Sequence, residues 1–385
     1  MKNIWKAVIP IGTGILILLV PTPNGLAPHA WQYFALFVAV ITALIIEPLP
    51  AAAVGVIGIS LGAALNLVPS APDKAPVAGD ALRWALSGFS NSTVWLIFVA
   101  FMFAMGYENT GLGRRISLFL IKKLGRSTLG LGYAVALADL ILAPFTPSNT
   151  ARSGGTIFPI IKNIPPLYGS TPEQEPRKIG GYLMWVALAT TCVTSTMFLT
   201  GLAPNLLAMS LLEKTVKLKF EWAEWFIALA PTCVILFLLV PWLTYVIYPP
   251  TTKRSDDAPQ WANAELFKMG PVTRKEWTMA CLAVFALILW IFGGKTLDAT
   301  TVALMALSLM LICDVVDWSD VTENRNAWNV LVWFGTLVAL ADGLAKVGFL
   351  KWFATLAATS MSGLSITALI LALVALFFYV HYMFA

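Results

Sequence analysis

The chain has 385 residues, of which 58% are hydrophobic and 12% charged, and it carries a formal net charge of +5. With a mean hydropathy of +0.79, this balance excludes a soluble globular domain or a disordered chain and leaves a polytopic integral membrane protein. The basic excess requires no nucleic-acid partner, because cytoplasmic loops of membrane proteins are enriched in Lys and Arg.

The first apolar run, Ile4 to Val20, follows Lys2 and Lys6. No small-residue cleavage site comes after it and further apolar runs do, so it reads as a retained helix rather than a removed signal peptide. Hydropathy then predicts spans at Trp31 to Ile46, Ala51 to Leu67 and Val94 to Tyr107. A basic amphipathic arm with Arg114, Arg115, Lys122, Lys123 and Arg126 comes next. Leu129 to Ala143 and Gly154 to Ile161 are each shorter than the roughly 20 apolar residues of a spanning helix, and they flank the polar string Thr146 to Gly155. The pair predicts a re-entrant hairpin that ends inside the membrane, where a polar tip marks a small-ligand site. A span at Ile179 to Leu199 follows, broken at Thr200-Gly201 to Pro204-Asn205. Trp225 to Tyr248, Trp277 to Phe292, Val302 to Cys313 and Trp328 to Leu344 continue the series, and Leu364 to Tyr382 closes it.

Loop charge orients these spans. The basic arm and a second segment with Lys253, Arg254, Lys268, Arg274 and Lys275 belong on the cytoplasmic side, whereas Pro21 to His29 and Glu47 to Pro50 carry no Lys or Arg. Counting back gives a cytoplasmic N-terminus and a hairpin entering from the cytoplasm; Lys214, Lys217 and Lys219 run against that count. A weak internal repeat is also present. Val94-Trp95-Leu96-Ile97-Phe98 leads to Glu108 and Gly111, and Val330-Leu331-Val332-Trp333-Phe334 leads to Asp342 and Gly348, with opposite predicted orientations. Inverted repeats with broken helices are a common plan of secondary transporters. The spacing from Gly111 to Ser148, applied from Gly348, lands on Ala385, so the last run reads as the first limb of a second hairpin in a C-terminally shortened chain.

Ser148-Asn149-Thr150 on a hairpin tip, with Gly201-Leu202-Ala203-Pro204-Asn205 interrupting the next helix, resembles the divalent anion–sodium symporter (DASS) family. The longer string Pro147 to Gly155 more closely resembles its branch of bacterial citrate–succinate antiporters and plastid 2-oxoglutarate–malate translocators. The resemblance implies an all-α polytopic membrane protein, an inverted-repeat elevator-type transporter with re-entrant hairpins whose second repeat is incomplete here. It implies no enzymatic activity. It also implies exchange or symport of di- and tricarboxylates such as citrate, succinate, tartrate or 2-oxoglutarate across the bacterial inner membrane, by a homodimer. Residues 1–110 are then scaffold helices and 111–213 half of a transport domain, with 214–300 returning to scaffold helices and a cytoplasmic loop and 301–385 forming the incomplete second repeat. A second Ser-Asn-Thr-like tip, which the family pattern requires, does not occur after Trp328.

A site for a strongly hydrated dicarboxylate must replace water with directional donors. Asn149 and Thr150 supply an amide and a hydroxyl, and the backbone at Ala151 to Gly154 begins a helix that favours anions; an ordinary Ser/Thr/Gly loop is the plainer alternative. The expected substrate-binding set is Ser148, Asn149, Thr150, Arg152, Pro204 and Asn205. By resemblance, Ser148, Asn149 and Gly201 would form most of a sodium site, with no other cofactor. Sodium-coupled relatives place a hydroxyl four residues before the motif Ser, where this chain has Pro144, and that departure favours exchange. Arg152 could meet a substrate carboxylate, pair with Asp139 or be solvated in a vestibule. The hydroxyls of Thr190, Thr191, Thr194, Ser195 and Thr196 could line the pathway or bond back to helix carbonyls.

Rival readings are an ion-coupled antiporter for another substrate, using Asp139, Glu108 or Asp342, and a non-functional truncated fragment. A membrane hydrolase is disfavoured: neither GxSxG nor HExxH occurs, and the 2 histidines, His29 and His381, offer Ser148 no evident base. Trp31, Trp225 and Trp277 suit interfacial anchoring. Asp314, Asp317, Asp320 and Glu323 read as a solvated loop face.

Overall fold

The computed structural model describes residues 4–70, 74, 77–218, 220–294, 296–360 and 365–381. Lys2, Lys219, Leu364, Tyr382 and Ala385, on which the sequence reading drew, lie outside the described residues. Helices account for the regular structure among the described residues: α1 (Ile4–Leu19), α2 (Pro28–Ile46), α3 (Ala51–Ala64), α4 (Ala78–Ser87), α5 (Ser92–Thr110), α6 (Leu112–Leu124), α7 (Thr128–Leu142), α8 (Phe158–Ile161), α9 (Gly180–Met197) and α10 (Ala203–Val216), followed by α11 (Trp222–Ile247), α12 (Asp257–Met269), α13 (Arg274–Phe292), α14 (Ala299–Ile312), α15 (Trp318–Glu323), α16 (Arg325–Lys346), α17 (Phe349–Ser360) and α18 (Ile366–His381). A π-helix, Thr150–Ile157, runs directly into α8.

By length and composition, 6 stretches can cross a membrane: Pro28–Ile46, Ala78–Thr110, Thr128–Phe145, Trp222–Ile247, Arg274–Phe292 and Arg325–Lys346. The other expected spans recur in these stretches and in shorter apolar helices such as α3 and α14, whereas the span expected at Ile179 to Leu199 forms α9 and is not among them. Hydropathy predicted no helix at α4, α12 or α15. Each is too short and too polar to form an apolar run; α4 and α12 are held by buried stripes, Ala81, Trp84 and Ala85 in the first and Ala258 and Ala262 in the second, and α15 buries Val321. The acidic segment is likewise more ordered than a loop face, since Asp317 and Asp320 form a reciprocal capping box on α15.

Contacts divide the chain into two compact units, Met1–Val94 with Asn329–Ala385, and Trp95–Trp328. Residues 111–300, which the sequence reading assigned to two segments, fall within the second unit. In the first unit, Tyr33, Val40, Ile59, Trp84, Leu340 and Phe349 belong to one buried core. Polar tips of its aromatic residues are satisfied by the backbone of α16: Tyr33 Oη donates to the Leu340 carbonyl at 2.7 Å and Trp84 Nε1 to that of Ala339 at 2.6 Å. A Cβ at Gly88 would collide with the Gly335 carbonyl, so this backbone contact requires glycine.

The second unit is centred on α6, α7 and α9, whose residues Leu118, Ile121, Leu131, Val135, Tyr182 and Val186 share a core. Its amphipathic arm, α6, buries Ser117, Leu118 and Ile121 and leaves Lys122 and Lys123 in its last turn, where the helix dipole favours cations. The two halves of the sequence repeat have the same order of elements. Gly111 (φ 77°) separates α5 from the amphipathic α6, and Gly348 (φ 83°) stands between α16 and α17; apolar helices α7 and α18 follow.

Candidate functional site

The hairpin begins at α7, where Ser127 Oγ accepts the Gly130 N–H at 3.1 Å as an N-terminal cap. A 3₁₀ turn at Ala143–Phe145 continues α7, and the combined limb is 18 residues long, enough to cross a bilayer and longer than the sequence reading allowed. The chain nevertheless turns back. Thr146 is extended (φ −126°, ψ 100°), helical structure resumes by Thr150, and Ile157, Ile160 and Ile161 return against Leu131, Val135 and Ala138 in one core. The π geometry of the return limb has a local cause: Pro159 lacks an N–H and its ring crowds the carbonyl a turn earlier, while Phe158 N–H bonds to Ser153 O instead.

Opposite the tip, α9 ends at Met197, and Phe198 and Leu202 are extended around a 3₁₀ turn at Leu199–Gly201. Pro204 opens α10, where its missing N–H costs nothing, and it is exposed. Asn205 turns its amide back, donating to Ser195 O at 2.7 Å and Phe198 O at 3.2 Å, and so satisfies carbonyls that the broken helix leaves open. The break and the tip are joined directly. Ala203 N–H donates to Pro147 O at 2.7 Å, Thr200 Oγ1 donates to Pro144 O, and Trp222 Nε1 donates to Thr200 Oγ1 at 3.0 Å.

Arg152 lies under this junction and is 1% exposed. Its Nε donates to Asp139 Oδ1 at 3.2 Å, its Nη1 to Thr146 O at 2.8 Å and Gly201 O at 3.1 Å, and its Nη2 to Ser195 Oγ at 2.8 Å and Thr191 Oγ1 at 3.2 Å. Thr194 Oγ1 donates to the second oxygen of Asp139. The five N–H donors of a guanidinium are thereby matched by protein acceptors. Thr191, Thr194 and Ser195, spaced to share one face of α9, are the shell of this cation, and their one-face spacing was the readable signal for it. Gly201, expected among sodium ligands, offers its carbonyl to Arg152.

The tip itself is organised differently. Ser148 Oγ accepts the Ala151 N–H at 3.2 Å, but the Asn149 amide and the Thr150 hydroxyl make no hydrogen bond among the described residues. Asn149 is half-buried and Thr150 exposed. Ser148, Asn149, Thr150 and the start of α10 at Pro204 are thus brought together around the junction, with Arg152 behind it.

Residues 1–385 match the family described as the sodium:sulfate symporter transmembrane region. The chain belongs to this family. It is 47% identical over 390 residues to the citrate/succinate antiporter of Escherichia coli (strain K12), covering 100% of this chain and 80% of that protein. It is 48% identical over 388 residues to the L-tartrate/succinate antiporters of Escherichia coli O6:K15:H31 (strain 536 / UPEC) and of Shigella sonnei (strain Ss046), covering 99% of this chain and 80% of each relative.

In this symporter-family chain the junction is backed by aromatic rings that sequence reasoning did not single out. Phe145, beside the tip, lies 5.8 Å from Tyr107 and 6.4 Å from Trp290, measured between ring centres; Trp290 is 6.3 Å from Trp222, which is 6.0 Å from Phe198 at the helix break. Five separate elements supply these rings, so no sequence window shows them together. Trp225, read as an interfacial anchor, donates its indole N–H to Thr196 O at 3.0 Å. A cavity of ≈ 610 Å³ adjoins the return limb, lined by Glu108, Arg114, Gly155, Thr156, Lys162 and Glu265 among others. Ser148, Asn149 and Thr150 do not line it.

Proposed function

We propose that this protein exchanges di- and tricarboxylates of the citrate, succinate and tartrate class across the bacterial inner membrane. Family membership and the named activities of its relatives support the class. The observation that carries exchange, rather than sodium symport, is the 3.1 Å contact of Arg152 Nη1 with Gly201 O. A carbonyl that would face sodium is held by a guanidinium that cannot dissociate, and Asp139 balances its charge. With the cation built in, the counter-anion supplies the driving force. Asn149 and Thr150, the donors without protein partners, take a substrate carboxylate together with Ser148, and the N-terminal turn of α10 at Pro204 adds a favourable dipole. Arg152 and Asn205 shape the site without touching the substrate, because their donors are already engaged.

The transport domain moves by an elevator displacement within a homodimer, and the N-terminus is cytoplasmic; the family plan supports the first two and loop charge the third. Counterflow tests the activity. Proteoliposomes loaded with succinate should accelerate entry of labelled citrate or tartrate, and entry unaffected by internal succinate would contradict exchange.

A further inference from the structure

A groove of ≈ 610 Å³ runs between α9 and α11, away from the junction. Gly181, Trp185 and Ala189 form one wall at helical spacing, and Val240, Leu243 and Ile247 form the other. Trp185 is 57% exposed and stands between two small residues, so the furrow is apolar along its length and open to the side.

One end of the groove meets a basic strap. Thr251 and Thr252 N–H donate to the carbonyls of Arg177 and Lys178, both at 3.1 Å, and this ties the entry to α9 to the exit from α11. Neighbouring charges are neutralised locally, Lys178 by Glu175 and Arg254 by Asp256. Arg177 and Lys253 pair with no carboxylate among the described residues. Each instead sits on a tyrosine ring at the end of α11: the Arg177 guanidinium carbon is 5.4 Å from the centre of Tyr248, and Lys253 Nζ is 4.4 Å from that of Tyr245. Tyr248 lines the groove, so its cation–π contact holds the Arg177 head at the mouth while leaving N–H donors available, and Lys253 follows Thr251 and Thr252 of the strap tied to that same end.

We propose that this groove binds an anionic phospholipid, one acyl chain lying along Trp185 and the headgroup phosphate held by Arg177 and Lys253. An apolar furrow beneath basic side chains at a membrane edge complements such a molecule in both shape and charge, and a lipid of no net charge lacks the second part.

Native mass spectrometry of the delipidated protein, titrated with phosphatidylglycerol and with phosphatidylcholine of the same acyl chains, tests this without any substitution. The wild type should retain phosphatidylglycerol in clear preference; equal retention would overturn the proposal. The double variant Arg177→Gln/Lys253→Gln should lose about thirtyfold in phosphatidylglycerol retention, and Ala189→Trp, which fills the furrow, should lower retention of both lipids. Retention unchanged in either variant would also overturn it. So would loss of a dimer in Ala189→Trp with lipid retention intact, which would assign the groove to a second copy of the chain.

Discussion

Asn149 and Arg152 are three residues apart on the same hairpin and use their polarity in opposite ways. Asn149 and Thr150 stand at the tip with donors that no described residue accepts, whereas every donor of Arg152 is spent inside the protein. Burying a polar group in a membrane protein requires a partner. On the proposed reading, the contrast separates a group whose partner is the fold from groups whose partner is the cargo.

Replacing the guanidinium should break this contrast most severely. Arg152→Gln leaves Asp139 buried without its counter-charge, and breaking such a pair costs about 3–5 kcal/mol; thermal unfolding in detergent should fall steeply and counterflow should be lost. A variant as stable as the wild type would show that the network is dispensable. Asp139→Asn keeps an acceptor for Thr194 but strands the buried guanidinium without its counter-charge, and the expected loss is again about 3–5 kcal/mol. At the tip the effects should reverse in kind. Asn149→Ala and Thr150→Val should shift stability by no more than about 0.5 kcal/mol, while apparent affinity for succinate falls roughly ten- to a hundredfold. If they destabilise the protein and spare affinity, the division between fold and cargo fails.

The smallest effect belongs away from the junction, where Arg114 on α6 pairs with Glu265 on α12 at 2.7 Å. A hydrogen bond from Lys268, with the charges of Lys268 and Arg114 adding to it, holds the Glu265 carboxyl below its usual range. Because the folded value is the lower one, this contribution is present above the ordinary carboxylate pKa and fades as pH falls through the lowered value. Glu265→Gln should cost at most about 1 kcal/mol and flatten the acid limb of a melting profile; an unaltered acid limb would remove Glu265 from the account.

Much of this was legible in sequence because membranes make strong demands on composition. The polar string before a short return limb pointed to the hairpin, although the entering limb is longer than expected, and glycine and proline at 201 and 204 predicted the broken helix. The destination of Arg152 was not legible. Asp139 was a candidate from proximity in sequence, but Thr191 and Ser195 lie on another helix, and the carbonyls of Thr146 and Gly201 carry no side-chain signal. The aromatic backing escaped for the same reason, and α4 and α12 escaped because a search for apolar runs passes over short amphipathic helices.

The central claim is that Arg152 stands in for a coupling cation. The most direct test is citrate–succinate counterflow measured with sodium on both sides of the membrane and again with choline replacing it throughout. The account predicts equal rates in the two media. A rate that vanishes in choline and saturates as sodium is restored would contradict it.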